Sequence, residues 1–461
     1  MKNLFASAIL FVTIFTGNAQ SLGYQDLGIL FSQNDNNGTA RFTSMGGAFG
    51  ALGGDISSVN INPAGLSVFN YSSVSGSFKS RSSDINSNYY GNKLTTQNQF
   101  MNLSQAGAVL VFDSLYEGDW QKFAMGFNYR ITKDFNDAFF AQGNSGVATF
   151  QDFPLDINNP TLVYNTADEQ SFNTTFGGQL SEFNIAFSSV YQNKLHVGLG
   201  LNFYDLNFNQ RSNLTEFNSD SNGNELDANL FQENFTSGSG FSMSAGFIYK
   251  LNQSFRFGLS YQTPTWFSEI IEDSNIINND GFFGDTEIAV SNDNVIYDNT
   301  AGGFFPTQSL IYSLKTPSKL TASSAFIFGT SGLLSFDYTN MNYTRTKLSG
   351  DDFSQENRAF RNDYVNTHNF SLGTEWRFDK FSIRAGYRFE QSPDIFAINS
   401  DNLKEYSLGA GYNFGSFKLD FSYRTNNRTA AYNFYSGFDG INPSNLTLDN
   451  RIFSVTVFVN L

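Results

Sequence analysis

The sequence predicts an all-β fold: a 14-stranded antiparallel transmembrane β-barrel plugged by a small N-terminal hatch. Three observations lead there. Fourteen segments with alternating faces follow residue 67, the connections between them alternate between short and long, and a glycine-rich apolar stretch precedes the first of them. The predicted division is a secretory signal over 1–19, the hatch over 20–66 and the barrel over 67–461.

Residues 1–19 carry Lys2, then an apolar run from Leu4 to Phe15, then small residues before a cut after Ala19. That order is the one a secretion signal needs, and the run is too short to span a bilayer as a helix. No later segment approaches eighteen consecutive apolar residues.

Gly38 to Phe69 reads GTARFTSMGGAFGALGGDISSVNINPAGLSVF and holds seven glycines. It is too apolar for a surface linker and too rich in glycine for a long helix. Pro63 fixes its own φ and steers Asn62 away from helical geometry, so a turn is expected at Asn62-Pro63-Ala64. The Asn62 amide is suited to satisfying backbone groups there. The stretch GGAFGALGGDISSVNINPAGLS resembles the hatch of the long-chain fatty acid porin family, the FadL-type outer-membrane transporters. The likeness rests on the small-residue run Gly46 to Gly54, Asp55, and Asn62-Pro63-Ala64.

The strands are expected near residues 74, 107, 128, 186, 202, 244, 260, 320, 339, 372, 385, 408, 422 and 456. In the third, Phe123, Met125, Phe127, Tyr129 and Ile131 alternate with Ala124, Gly126, Asn128, Arg130 and Thr132. In the tenth, Phe370, Leu372, Trp376 and Phe378 alternate with Ser371, Gly373, Glu375 and Arg377. Short turns are expected at 192–194, 252–253, 329–332, 379–380 and 415–416, and a longer one at 113–121. Polar loops are expected near 81–100, 136–180, 212–237, 267–308, 348–365, 390–402 and 429–449. Outer-membrane barrels have this asymmetry of short periplasmic turns and long outer loops. Fourteen strands enclose a lumen wide enough to need an obstruction, which the glycine-rich segment supplies.

The chain has 461 residues, 52 Phe, 22 Tyr, no cysteine and a formal charge of −15. Losing Lys2 with the leader leaves 26 Lys and Arg against 42 Asp and Glu, or −16. An acidic chain of this kind is a poor partner for nucleic acid. Without cysteine there are no disulfides or thiol nucleophiles. No phosphate-loop, nucleophile-elbow or metal-ligand spacing occurs, so neither an enzyme nor a cofactor is expected.

Several residues invite a functional reading. Asn218 to Asn229 has calcium-loop offsets but ends on Asn where a bidentate Glu is needed. His196 is expected to face inward at the periplasmic start of the fifth strand, and His368 outward near the outer rim. The two are therefore not placed to ligate one haem iron. Inward cations include Arg130, Arg256, Arg377, Arg384, Arg388, Lys418 and Arg424, with Asp337, Glu375 and Asp420 on the same face. A ladder of opposite charges accounts for most of them. Arg384, Arg388 and Arg256 are the candidates for clamping a cargo carboxylate, the first two because few acids lie near them on their strand.

The resemblance implies uptake of hydrophobic molecules, long-chain fatty acids by default, with sideways release into outer-membrane lipid at an inward kink of the third strand. Gly126 is where such a kink costs least. The expected gating residues are thus Asn62, Pro63, Ala64 and Gly126, in a monomer. Two further readings stay open: a non-transporting barrel subunit of type IX secretion, with a secretion-machinery partner, and a receptor for another apolar cargo such as haem.

Overall fold

In a computed structural model of the chain, the described residues are 22–114, 118–149, 164–281, 288–289, 296–297, 307–435 and 440–461. The expected leader lies outside them. The barrel strands are β1 (Ser73–Tyr89), β2 (Asn92–Asp113), β3 (Trp120–Asp134 and Asp137–Gly143), β4 (Thr166–Tyr191) and β5 (Leu195–Ser219). Next come β6 (Glu225–Lys250), β7 (Phe255–Gln262 and Trp266–Gly281), β8 (Thr307–Lys315 and Lys319–Phe328) and β9 (Gly332–Asn342 and Lys347–Ser349). The wall is completed by β10 (Asn366–Phe378), β11 (Phe381–Glu390), β12 (Leu403–Asn413), β13 (Phe417–Tyr432) and β14 (Ser444–Asn460). Each pairs antiparallel with its neighbours, and β1 closes the ring on β14 from Ser73 opposite Asn460 to Asn88 opposite Asn445. Closure pairs the edges all round except along the outer parts of β2 and β3, and paired edges are what a strand fold needs inside lipid.

All fourteen expected strands are present, and the short inner turns fall where expected. Of the outer loops, 348–365 and 390–402 fall where expected and the others do not. Residues 81–100 and 212–237 are mostly strand, joined by tight turns at Tyr90-Gly91 and at 220–224, and β7 and β13 run on to Gly281 and Tyr432. Beyond the bilayer the outward face meets water, and the buried inward face carries Ser83, Ser87, Gln210, Ser212 and Glu216 beside Ile85, Tyr89 and Leu214, so hydrophobic alternation fades while the hydrogen-bonded ladder continues. The strict alternation of connection length also fails at the first hairpin. Tyr90 and Gly91 take φ of 45° and 87°, the left-handed pair that a two-residue hairpin turn requires. The calcium-loop reading fails for a related reason: Asn218 and Asn229 belong to paired strands. Asp220 Oδ1 is taken up by the amides of Asn222 and Asn224.

The outer surface carries aromatic pairs towards both ends. Phe328 stacks on Trp376 at 5.9 Å near the inner turns. Tyr387 meets Tyr406 at 5.1 Å further out. Residues 22–72 lie within the ring as α1 (Tyr24–Leu30), α2 (Ala40–Ser44) and the 3₁₀ turns η1 (Ile56–Asn60) and η2 (Pro63–Val68). The first strand starts at Ser73, whereas Ser67 still belongs to η2. A further helix, α3 (Ser354–Asn362), lies in the outer connection between β9 and β10.

Candidate transport path and hatch

The N-terminal segment meets the wall nearly all the way round. α2 packs on β11 to β14, η2 on β3 to β6, and η1 on β2 to β4. Gly46-Gly47 and Gly53-Gly54 all have positive φ, and each pair reverses the chain within a compact plug. Asp55 links two of the turns. Its carboxylate accepts from the Thr39 hydroxyl at 2.8 Å and from the Ser57 amide at 3.0 Å. Thr39 in turn caps α2 by accepting from the Phe42 amide at 3.1 Å. Burial pushes the Asp55 carboxyl up from its ordinary value, against the pull of Arg41 and these donors.

Asn62 joins plug to wall. Its Nδ2 donates to the Gly50 carbonyl at 2.8 Å and to the Phe247 carbonyl of β6 at 3.0 Å, and its Oδ1 accepts from the Ala64 amide at 3.1 Å. Pro63 opens η2, where its missing N–H costs nothing. The wall yields to this turn. A Cβ on Gly198 would strike the Ala64 nitrogen and the Pro63 carbonyl carbon, and one on Gly246 would strike Asn62 Oδ1. Wall glycines facing the plug recur at Gly373, against Met45, and at Gly409, against Ser44. Sequence reasoning missed this set, although the inward parity of these glycines at similar depth in successive strands was readable.

Gly126 belongs to the same set, not to a kink. It pairs with Val109 in the intact part of the β2–β3 ladder, and a Cβ there would meet Leu66 of the plug at 2.8 Å. The break in β3 lies further out, at Phe135-Asn136. Ladder pairing between β2 and β3 runs only from Asp113 opposite Lys122 to Gln105 opposite Arg130. Beyond it the outer part of β3 pairs with β4 alone, and that of β2 with β1 alone. Phe135 turns into the lumen against Phe31 and Phe208, with ring centroids at 5.8 and 5.1 Å. Opposite the break, Gly178 of β4 takes φ 93°, and its carbonyl accepts from the Phe135 amide at 3.1 Å.

Side chains and plug residues fill the resulting seam. Asn98 Nδ2 donates to the Ala138 carbonyl at 2.8 Å, and the Phe140 amide to Thr96 Oγ1 at 3.1 Å. From the plug, the Asp35 amide donates to the Thr132 carbonyl at 2.7 Å and Asn37 Nδ2 to the Ile131 carbonyl at 2.9 Å. Charges gather here. Lys133 meets Asp35 at 3.2 Å, Lys79 meets Asp134 at 3.2 Å, and Arg81 meets Asp137 at 2.9 Å. Burial alone would raise the Asp35 carboxyl. Lys133, Lys79 and Arg81 outweigh it and hold the group well below the usual carboxylate range.

Above the plug the lumen is apolar. One cluster gathers Leu27, Phe31, Phe135, Phe208, Phe267 and Leu314, among others. A second, nearer the outer rim, includes Tyr89, Phe139, Phe172 and Phe434, and Leu22 and Phe176 touch both. Glu272 is buried at the border of the first, within 3.4 Å of the Tyr312 hydroxyl.

The premise behind two of the expected carboxylate clamps does not hold. Arg384 is held between Glu375 at 2.7 Å and Asp420 at 2.6 Å, acids contributed by the strands on either side. Arg388 is paired with Glu390 two residues along its own strand. Parity along one strand hides the cross-strand partners of Arg384, whereas Glu390 stands in view on the same strand as Arg388. Arg256 donates to the Leu52 carbonyl at 3.1 Å, near the inner end of β7 and away from the apolar clusters. Arg130 pairs with Glu182 at 2.8 Å, while Arg424 reaches Glu405, Asn37 Oδ1 and the Asn36 carbonyl. Glu375 also takes Arg41 of α2 at 2.7 Å, so the charge ladder extends into the plug.

His196 is buried, with its Nδ1 2.8 Å from Ser67 Oγ, whereas His368 lies on the exposed face beside Tyr338. Among the described residues no group of three or more His, Asp or Glu is placed to hold a metal ion.

Residues 27–431 match the family model described as "Outer membrane protein transport protein (OMPP1/FadL/TodX)". The chain belongs to that family. Its barrel is accordingly an outer-membrane one, and the family transports hydrophobic compounds across that membrane. Solved structures agree in fold. A FadL homologue from Pseudomonas aeruginosa superposes with a TM-score of 0.59 at 14% identity, covering 93% of this chain and 99% of that one. The toluene transporter TodX of P. putida gives 0.53 at 13% identity, covering 92% and 99%. The toluene transporter TbuX of Ralstonia pickettii gives 0.52 at 14%, with the same coverage. No match to this sequence is found among curated proteins.

Proposed function

We propose that this FadL-type barrel admits a small hydrophobic compound at its outer mouth, passes it along the two apolar clusters and releases it sideways through the β2–β3 seam. The observation that carries this reading is the loss of the β2–β3 ladder beyond Gln105 and Arg130, beside an apolar lumen. A seam closed by side chains and plug residues can part without unzipping a backbone ladder. The hydrocarbon layer then receives a molecule that water would reject.

The charges of the lining favour a neutral cargo. Arg384, Arg388 and Arg130 already hold carboxylates, and Glu272, an acid, borders the inner apolar cluster. An uncharged compound, such as the toluene that two structural neighbours are named for, fits this lining better than an anion. A long-chain fatty acid is the second reading, favoured by the continuity of the two clusters through Leu22 and Phe176, which suits a long alkyl chain.

The test is displacement of a fluorescent hydrophobic probe from the purified protein by toluene, palmitate and methyl palmitate. Displacement by toluene and the ester, with palmitate at least tenfold weaker, supports the neutral cargo. Preference for palmitate over its ester overturns that and restores the fatty acid. Displacement by none of them, with a second barrel co-purifying, moves the protein to the secretion-subunit reading.

A further inference from the structure

We infer that the outer end of β9 to β12 binds a phosphorylated glycolipid of the outer leaflet, at a site separate from the transport path. The first part of it is a basic cleft of about 420 Å³ between α3 and the segment 344–347, lined by Arg345, Lys347, Arg358 and Arg361. All four side chains are exposed, and none is joined to a carboxylate among the described residues. Four exposed cations thus line one cleft in a chain with 42 acids against 27 cations.

The frame holding them is rigid. Asn357 of α3 accepts from the Leu348 amide at 3.0 Å and donates to the Leu348 carbonyl at 2.9 Å, fixing helix to strand. Asn342 caps the turn before Arg345 by accepting from the Thr344 amide at 3.1 Å. Phe353 and Phe360 anchor the other side of α3 in the lumen's apolar cluster. Guanidinium groups held on such a frame suit phosphate oxygens, to which arginine donates in pairs.

The second part is apolar and adjoins the first. The connection 391–402 exposes Ile395, Phe396 and Ile398 at 52%, 80% and 67%. It is nevertheless well tied down: the Ile395 amide donates to the Asp363 carbonyl just past α3, and the Val365 amide to the Pro393 carbonyl, both at 2.8 Å. Its Ile395 and Ile398 line a groove of about 480 Å³ with Phe370 and Phe389 of the barrel's outer surface. Ordered apolar side chains left this exposed mark a surface meant for an apolar medium. A cationic cleft beside an apolar groove on the lipid-facing rim matches a ligand with a phosphorylated sugar head and acyl chains. A basic pocket for a lipid headgroup is the same device.

The experiment uses the full-length protein, delipidated in detergent, and native mass spectrometry with bisphosphorylated lipid A, its dephosphorylated form, or inorganic phosphate. The expected result is a one-lipid adduct with bisphosphorylated lipid A, at least tenfold weaker for the dephosphorylated form. The adduct should weaken at least tenfold in Arg345→Gln/Arg358→Gln/Arg361→Gln and in Ile395→Ser/Phe396→Ser/Ile398→Ser, and millimolar phosphate should not compete. Heat-modifiable gel mobility checks that each variant is folded, and the single changes Arg358→Gln and Arg361→Gln replace the triple if it is not. Equal binding of the two lipid forms, or full competition by phosphate, overturns the proposal. So does undiminished binding in the arginine variants.

Discussion

Asn62 Nδ2 donates to the main-chain carbonyl of Phe247, 185 residues away on β6, at 3.0 Å, and to the Gly50 carbonyl of the plug at 2.8 Å. One amide thus satisfies a wall carbonyl and a plug carbonyl together. Replacing Asn62-Pro63 with Ala-Ala leaves both without that donor, at a cost of about 1–3 kcal/mol each where water does not enter. Every barrel ladder begins beyond this motif, so folded barrel in the membrane is expected at wild-type level. Leakage of small polar antibiotics should rise and hydrophobic uptake should fall. Loss of the heat-modifiable band would show instead that the motif is needed to start β1.

Gly198 makes an opposite test from the wall side. Valine there favours a strand. Its Cβ would nonetheless collide with the backbone at Pro63-Ala64, which has no flexible end to move aside. Gly198→Val is expected to give a folded barrel with a displaced plug and several-fold higher single-channel conductance in planar bilayers. Unchanged conductance would mean that the plug adapts and the close approach is incidental.

Glu375 is where wall and plug charges converge, accepting from Arg41, Arg377 and Arg384. Glu375→Gln takes the acid from Arg41 and Arg377 while Arg384 keeps Asp420, and should cost more stability than Arg384→Gln, after which Arg41 and Arg377 still neutralise Glu375. A difference of about 1–3 kcal/mol is expected from denaturant midpoints. Arg384→Gln/Arg388→Gln should weaken binding of a fatty acid and of its methyl ester equally, because both arginines serve the wall. A selective loss of the acid would return Arg384 or Arg388 to the cargo.

What was legible in the sequence was whatever leaves a periodic trace. The period-2 alternation placed all fourteen strands, and Gly46 to Ala64 marked a plug with a turn at Asn62-Pro63. The outer halves of β1, β2, β5 and β6 were hidden because their outward faces meet water and their inward faces mix buried Ser83, Ser87, Gln210, Ser212 and Glu216 with Ile85, Tyr89 and Leu214, so polar residues stand on either side. Arg384 looked free of acids because its partners Glu375 and Asp420 come from neighbouring strands. The kink was sought at Gly126, the flexible residue within β3. The lost ladder depends on Phe135 entering the lumen and on Gly178 across from it, a long-range relation that no single segment displays.

The seam itself gives the last test. Asp35 serves β3 where β2 no longer does. Its amide donates to the Thr132 carbonyl, its Oδ2 accepts from the Asp134 amide at 3.2 Å, and its Oδ1 meets Lys133. Because the cations around it hold its pKa below the unfolded value of about 3.9, the carboxylate's contribution is present above that pH and is lost only as pH falls towards the lower folded value. Hydrogen-exchange protection of residues 131–134, corrected for intrinsic rates, should therefore stay flat from pH 8 to pH 5. Asp35→Asn removes the charge while keeping an acceptor, so Lys133 loses its acid, and Lys79 and Arg81 keep only Asp134 and Asp137. Exchange at 131–134 should then be about tenfold faster, on the order of 1.4 kcal/mol. Hydrophobic uptake should rise with it if the seam is the exit. Wild-type protection in Asp35→Asn, or a step in protection near pH 6 in the unaltered protein, would show that some other group holds the seam. Faster exchange without faster uptake would separate the plug's hold on β3 from the release of cargo.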